Sequence, residues 1–266
     1  MFSSSRFQER REGLKEFKYI KESRGDVFTI HYSCESFNRS KSSSPRVTSI
    51  SLYNLSSGDQ KSFSLHIEAQ KKGYYSKKLS IDELNASERS LLQKFYKFVK
   101  AHQGSLWVHW CMKNSKYGFE ALSDRYEILT RKSAPTIKVQ ERYDLYELLR
   151  KLYGPTFESD EKGSKLLGLA YRNRIAKRDM LNGQEEAEAF SKRNFQSIVA
   201  SSQNKAEVLG HLVKAVGEKR LKVQASLKEI YGISALGILL FIGDNFSKIW
   251  KIVSAIGGLV MMLVAL

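Results

Sequence analysis

Residues 230–243 and 252–266 carry no charged side chain, and runs of that kind have few ways to leave water. Each is shorter than the roughly 20 residues that a spanning helix prefers. Lys228 and Glu229 precede the first run, and Lys248 and Lys251 separate the two, so long charged side chains can snorkel at either end. Tyr231 and Trp250 stand where interfacial anchors would. With these flanks each run fits a thin or locally compressed bilayer. The polar stretch 244–251 supplies a tip, and the pattern predicts a two-helix transmembrane hairpin over residues 228–266. A hairpin buried in a soluble core would have only 229 residues before it. A helix lying in the interface needs a polar face, which residues 252–266 lack.

Small residues line both runs: Gly232, Ser234, Ala235 and Gly237, then Ser254, Ala255, Gly257 and Gly258. Such positions let helices approach closely in lipid, which favours hairpin closure or a homo-oligomer. The absence of a charge inside either run argues against an ion-coupled transporter. Lys219, Arg220, Lys222 and Lys228 sit before the first run, and positive flanks prefer the cytoplasm. Both the N-terminal body and the C-terminus are therefore expected on the cytoplasmic side.

The 44 Lys+Arg against 28 Asp+Glu leave a net charge of +16. Residues 228–266 account for only +1 of it, so the body carries +15. A field of that sign attracts polyanions, either nucleic acid or an anionic membrane face. The two cysteines, Cys34 and Cys111, form no paired metal motif and suit a reducing cytoplasm. The polar N-terminus lacks the apolar segment of a signal peptide.

Four segments follow from the patterning: a charged stretch over 1–24, an α/β domain over 25–182, an amphipathic helical arm over 183–227, and the hairpin. Strands are predicted at 26–33, 47–55, 61–68, 106–110 and 136–139. Helical spacing begins after Ser87, with Leu91, Leu92, Phe95, Phe98 and Val99 on one face, and recurs at 119–129 and 143–152. Phe195, Ile198, Val199, Val208, Leu209, Leu212, Val213 and Val216 mark the arm.

Three strands, then helix, strand, helix, strand and helix is the order of a ribonuclease-H-like core. On the first strand, residues 30–37 read Ile-His-Tyr-Ser-Cys-Glu-Ser-Phe, and residues 108–112 and 118–122 read Val-His-Trp-Cys-Met and Gly-Phe-Glu-Ala-Leu. Together with residues 143–148, these segments resemble the DEDD family of 3′–5′ exonucleases across about residues 26–215. The resemblance implies two-metal chemistry, for which several carboxylates must converge. Ser33 stands where that family carries its first Asp, leaving Glu35 and Glu120 as residual candidates. The final His or Tyr with its paired Asp, which the resemblance implies late in the domain, has no clear counterpart, and the domain reads as a degenerate exonuclease-like fold that binds rather than cuts.

His109, between Trp107 and Trp110, reads as a core histidine, and Cys111 as buried packing. There is no Gly-x-x-x-x-Gly-Lys-Ser/Thr loop, no His-Glu-x-x-His and no Gly-x-Ser-x-Gly, so no cofactor or metal is expected. Two basic clusters are the candidate nucleic-acid contacts. Lys71, Lys72, Tyr74, Tyr75, Lys77 and Lys78 mix cations with rings that stack on bases. Arg172, Arg174, Lys177 and Arg178 form the second.

A soluble domain without its catalytic residues, a helical arm and a two-span hairpin resemble the two-transmembrane effectors of bacterial anti-phage systems. The retron class of these pairs its effector with a reverse transcriptase and an RNA–DNA product. The resemblance implies an inner-membrane protein that damages the membrane and arrests growth once its inhibitory complex lets go. A membrane-tethered metal-dependent exonuclease and a membrane-anchored scaffold are the competing expectations.

Overall fold

The computed structural model describes residues 2–35, 44–75, 78–112, 117–160, 163–176, 179–233 and 235–264. It is an α/β structure around one five-stranded mixed sheet. Strand β1, Val27–Cys34, is buried along all eight residues, which marks it as central and covered on both faces. It pairs antiparallel with β2, Val47–Asn54, and parallel with β4, Leu106–His109. Strand β3, Gln60–Ser64, runs antiparallel to β2, and β5, Arg142–Asp144, runs parallel to β4. The order is therefore β3-β2-β1-β4-β5, with β2 alone running against the other four.

Alternation along β1 divides its side chains between two layers. Phe28, Ile30, Tyr32 and Cys34 join a cluster with Leu91, Leu92, Phe95 and Val99 of helix α3, Ile81–Ala101. The start of α3 is set by a capping box between Ser80 and Glu83, which satisfies two otherwise orphaned donors. On the opposite face, Thr29 donates to the Ala206 carbonyl at 2.6 Å, and Ser202 donates to the His31 carbonyl at 3.2 Å. Both partners lie on α8, Phe195–Gly217, which crosses β1 and β2. Burial, with Lys205 nearby, pushes the His31 imidazole well below its usual range.

Helix α1, Phe2–Lys21, packs on α5, Leu145–Tyr153. Their apolar faces, with α8 and α6 (Lys165–Arg172), build a second cluster around Phe17, Ile20, Leu149, Phe157 and Leu209. Helix α8 sits close to the sheet at Gly210, where an added Cβ would overlap the Tyr53 ring.

Several sequence expectations change. The strand predicted at 61–68 ends at Ser64, whose partner Ser49 is the last residue of the β2–β3 register. Beyond it the chain turns into α2, Leu65–Lys71, because Leu65 and Ala69, one helical turn apart, both reach the core. No strand forms at 136–139. Arg142 donates to the Ile137 carbonyl from Nε at 2.9 Å and Nη2 at 2.6 Å, so a side chain takes the bonds a ladder would have used. Helix α4, Phe119–Thr130, falls where it was expected. The helical stretch after residue 182 takes the form of α7, Gly183–Ser191, and α8, broken at Arg193 with φ of 57° and restarted by the Asn194 cap. Helix α8 is a layer of the core, where the sequence predicted an arm.

The C-terminus also differs. After α9, Leu227–Tyr231, one helix, α10, runs from Ala235 to Val264 in place of two helices joined by a tip. Residues 244–251 contain no glycine or proline to break it. Thirty residues make about 45 Å of helix. Among the described residues, no helix is long and apolar enough to cross a membrane.

Candidate functional site

The carboxylates proposed for metal chemistry are each engaged by arginine. Glu35 lies just past the end of β1, where Arg46 Nη1 reaches its Oε2 at 3.1 Å. Arg46 also faces Glu88 Oε2 at 3.5 Å. Glu88, fully buried on α3, accepts from Arg125 at 2.7 and 2.5 Å and from the Val47 amide at 2.8 Å. Burial raises the Glu88 carboxyl above its usual range, against the pull of Arg125. Arg46 thus bridges the two carboxylates at the end of β1, and Arg125 engages Glu88 as well. Glu120, on α4, is half exposed and pairs with Arg142 at 2.5 Å. Partial burial pushes its carboxyl up, but the hydrogen bonds from Arg142 and from its own amide, with the charge of Arg142, together hold it below the ordinary value. Among the described residues, no group of three or more His, Cys, Asp or Glu side chains is placed to hold a metal ion. His109 is buried, as expected, and its Nδ1 accepts from the Met112 amide at 3.2 Å. Cys111 is exposed, not buried, and has a left-handed φ of 54°.

The described residues of the first basic cluster lie at and just after the end of α2, where further lysines stand beside them. Lys71 closes α2, Lys72 and Lys78 are exposed, and Tyr75 projects into solvent at 85% exposure. Tyr74 is partly buried against the core. Lys77 lies outside the described residues. Alongside Lys71 and Lys72 the structure adds Lys94 and Lys97 from α3, with Ser90 and Gln93, around an open depression of about 400 Å³. The spacing 90, 93, 94, 97 is one exposed face of that helix. A neighbouring groove of about 560 Å³ shares Glu68, Lys71 and Lys94, and is floored by Lys61, Ser62, Phe63 and Ser64 of β3. Its far wall is Gln196, Val199, Ala200 and Gln203 of α8, again one helical face. Glu68 is buried and binds Lys94 at 2.5 Å and Lys71 at 3.5 Å, so the five lysines outweigh the one acid.

In the second basic cluster, Arg172 is committed to Glu158, with bonds of 2.6 and 2.9 Å. Arg174 is exposed in a left-handed turn with φ of 59°. Lys177 and Arg178 lie outside the described residues. Of the two described members, one is thus paired and the other stands exposed.

At the C-terminus, Arg10 of α1 is the centre of a clasp. It is buried at 7% exposure, and its Nη1 donates to the Leu152 carbonyl of α5. Nη2 donates to Asp244 of α10 at 2.5 Å. The guanidinium lies 4.7 Å from the Tyr231 ring centroid, and the Tyr231 hydroxyl donates to Asp244 at 3.2 Å. Tyr231, expected as a membrane anchor, is thus a half-buried part of the clasp. Arg6 adds a bond to the Glu229 carbonyl at 3.0 Å. Beyond the clasp α10 exposes Ile238, Leu239, Ile242, Phe246, Trp250, Val253 and Ile256. At about 100° per residue these fall within one third of the helix circumference. Trp250 belongs to this apolar face, while the side chains of Lys248 and Lys251 lie outside the described ones.

Nothing in the sequence marks Arg10 as a partner for Asp244, which lies 234 positions away. The polar residue Asp244 between two apolar runs was the only signal, and it suggested a turn. No family model and no curated protein matches the chain.

Proposed function

We propose that this protein is a restrained membrane-acting effector whose apolar C-terminal helix, once unclasped, inserts into the inner membrane and arrests growth. The observation that carries this reading is the exposed apolar face of α10 together with the Arg10–Asp244–Tyr231 clasp that ties the helix to the body. Apolar side chains exposed along such a helix gain by leaving water for lipid, and the clasp supplies a reversible restraint. The body lies on the cytoplasmic side in this reading, where its charge of +15 faces the cell interior.

The role is anti-phage defence of the retron type, in which a reverse transcriptase and its RNA–DNA product hold the effector silent. Lys72, Tyr75, Lys78 and Arg174 are exposed and would meet the phosphate backbone of that product. The strand order, with β2 alone reversed, supports reading the body as a degenerate ribonuclease-H-like domain. The ion pairs that occupy Glu35, Glu88 and Glu120 support a binding role over cleavage.

Membrane potential in cells that overproduce the full chain tests this. The expected result is depolarisation before growth stops, faster for Arg10→Ala and unchanged for Glu35→Ala with Glu120→Ala. Growth arrest with an intact potential would overturn the membrane mechanism. Loss of toxicity in the double glutamate variant would point to the tethered exonuclease.

A further inference from the structure

Strand β3 ends the sheet, with β2 on one side and, among the described residues, no strand on the other. In an antiparallel pair, alternate residues direct their N–H and C=O groups away from the partner. Four consecutive residues of β3, Lys61 to Ser64, line the 560 Å³ groove, so this open edge faces a walled slot. Sheet edges left free in this way are templates for another chain, and proteins usually cover or blunt them. Here neither α8 nor α3 closes over the edge. They stand on either side of it as walls, with Val199 and Ala200 on one and Lys94 on the other.

The charges around the slot select what enters. Lys61 lies against the Phe98 ring at 5.3 Å, and Lys71 and Lys94 share the buried Glu68, so cations outnumber acids along its length. A second copy of the same edge would bring lysine against lysine and is disfavoured.

We propose that the slot is a docking site for an extended acidic segment of a partner protein, which adds to β3 as a sixth strand. Backbone bonds to β3 supply the affinity, and acidic side chains opposite Lys61, Lys71 and Lys94 supply the selectivity. This site is separate from the C-terminal clasp and does not depend on the membrane reading.

The test is hydrogen exchange on the full chain in detergent micelles, with a short peptide of alternating glutamate and valine as the probe. The peptide is expected to slow exchange of the outward amides within residues 60–64. The same peptide with alternate amides N-methylated keeps its charge but cannot pair as a strand. Its affinity is expected to fall by about tenfold or more, the effect of losing a pair of backbone hydrogen bonds. Ala200→Glu, which places a carboxylate on the α8 wall, is expected to weaken the unmodified peptide while leaving the melting temperature unchanged. Equal binding of the N-methylated peptide, or unaltered exchange at residues 60–64, would overturn the proposal. Oligothymidylate that displaces the peptide and gives the same protection would also overturn it, in favour of a nucleic-acid surface. None of these results bears on membrane depolarisation.

Discussion

Arg10 on the first helix and Asp244 on the last are joined by a 2.5 Å charge-assisted hydrogen bond between Nη2 and Oδ2. The same guanidinium donates to the Leu152 carbonyl and covers the Tyr231 ring, so one side chain couples four helices. Ion pairs at a protein surface contribute little, but Arg10 is buried and Asp244 is only 24% exposed.

Removing that side chain is the first prediction. Arg10→Ala leaves the Asp244 carboxylate and the Leu152 carbonyl without their donor, and is expected to cost about 1.5–3 kcal/mol. Limited proteolysis should show faster cleavage within α10, ahead of any cleavage of the sheet. Arg10→Lys retains the charge but not the fork, so its cleavage rate should fall between the two. Equal α10 cleavage in all three proteins would mean that the clasp does not restrain the helix.

Lys205 and Glu186 form the second test. Their side chains are 9% and 10% exposed and meet at 2.7 Å, and Ser201 donates to the same oxygen at 2.8 Å. Lys205→Met alone strands a buried carboxylate and is expected to cost about 3–5 kcal/mol in chemical denaturation. Lys205→Met combined with Glu186→Met should recover most of that loss, because no buried charge remains. A double variant as unstable as the single one would show that the loss lies in packing.

Gly210→Ala is expected to destabilise by about 1–3 kcal/mol, although alanine favours helix. The added Cβ would overlap the Tyr53 ring and push α8 off β2. Tyr53→Leu in the same protein should restore part of the melting temperature. A Gly210→Ala protein that melts higher than the parent would show that α8 is free to shift.

The Glu229 carboxylate gives a pH prediction. Hydrogen bonds from Thr156 first, then from the Ser226 amide and hydroxyl, lower its pKa from 4.5 to about 2. A depressed carboxyl stabilises the fold above its ordinary pKa and loses that contribution as pH falls through the folded value. The α9 cap should therefore hold at pH 5 and loosen between pH 4.5 and about 2. Carbon NMR of the Glu229 carboxyl should titrate near the lower figure, and Thr156→Val should move the midpoint upward. A midpoint near 4.5 in the parent would show that the cap does not form.

Local patterning carried much of the fold. The β-branched and aromatic run that became β1 was legible because both its faces are covered. The body of helix α3 was legible because Leu91, Leu92, Phe95 and Val99 recur at helical spacing, but its start at Ile81, behind the Ser80–Glu83 capping box, lies ahead of the start that the apolar spacing suggested. The boundary between β3 and α2 was not legible, since it depends on Leu65 and Ala69 reaching a core that the segment itself does not encode. Nothing in the sequence sets Glu88 apart, and only the approach of Arg46 and Arg125 makes it the centre of an ion network. Lys94 and Lys97 gave no sequence signal either, because α2 and α3 had to pack before they could join Lys71 and Lys72.

By itself the sequence determined that the chain mixes strands with helices, that its body is strongly basic, and that its last residues are apolar. These properties are local or additive, and neighbouring residues suffice to set them. The tertiary structure decided that these apolar residues form one helix instead of a hairpin. A lone Asp244 between apolar runs looks like a turn, but a helix can keep it where Arg10, brought across by α1, neutralises the charge and shares it with Tyr231. That pairing spans nearly the whole chain, and no pattern within either segment encodes it.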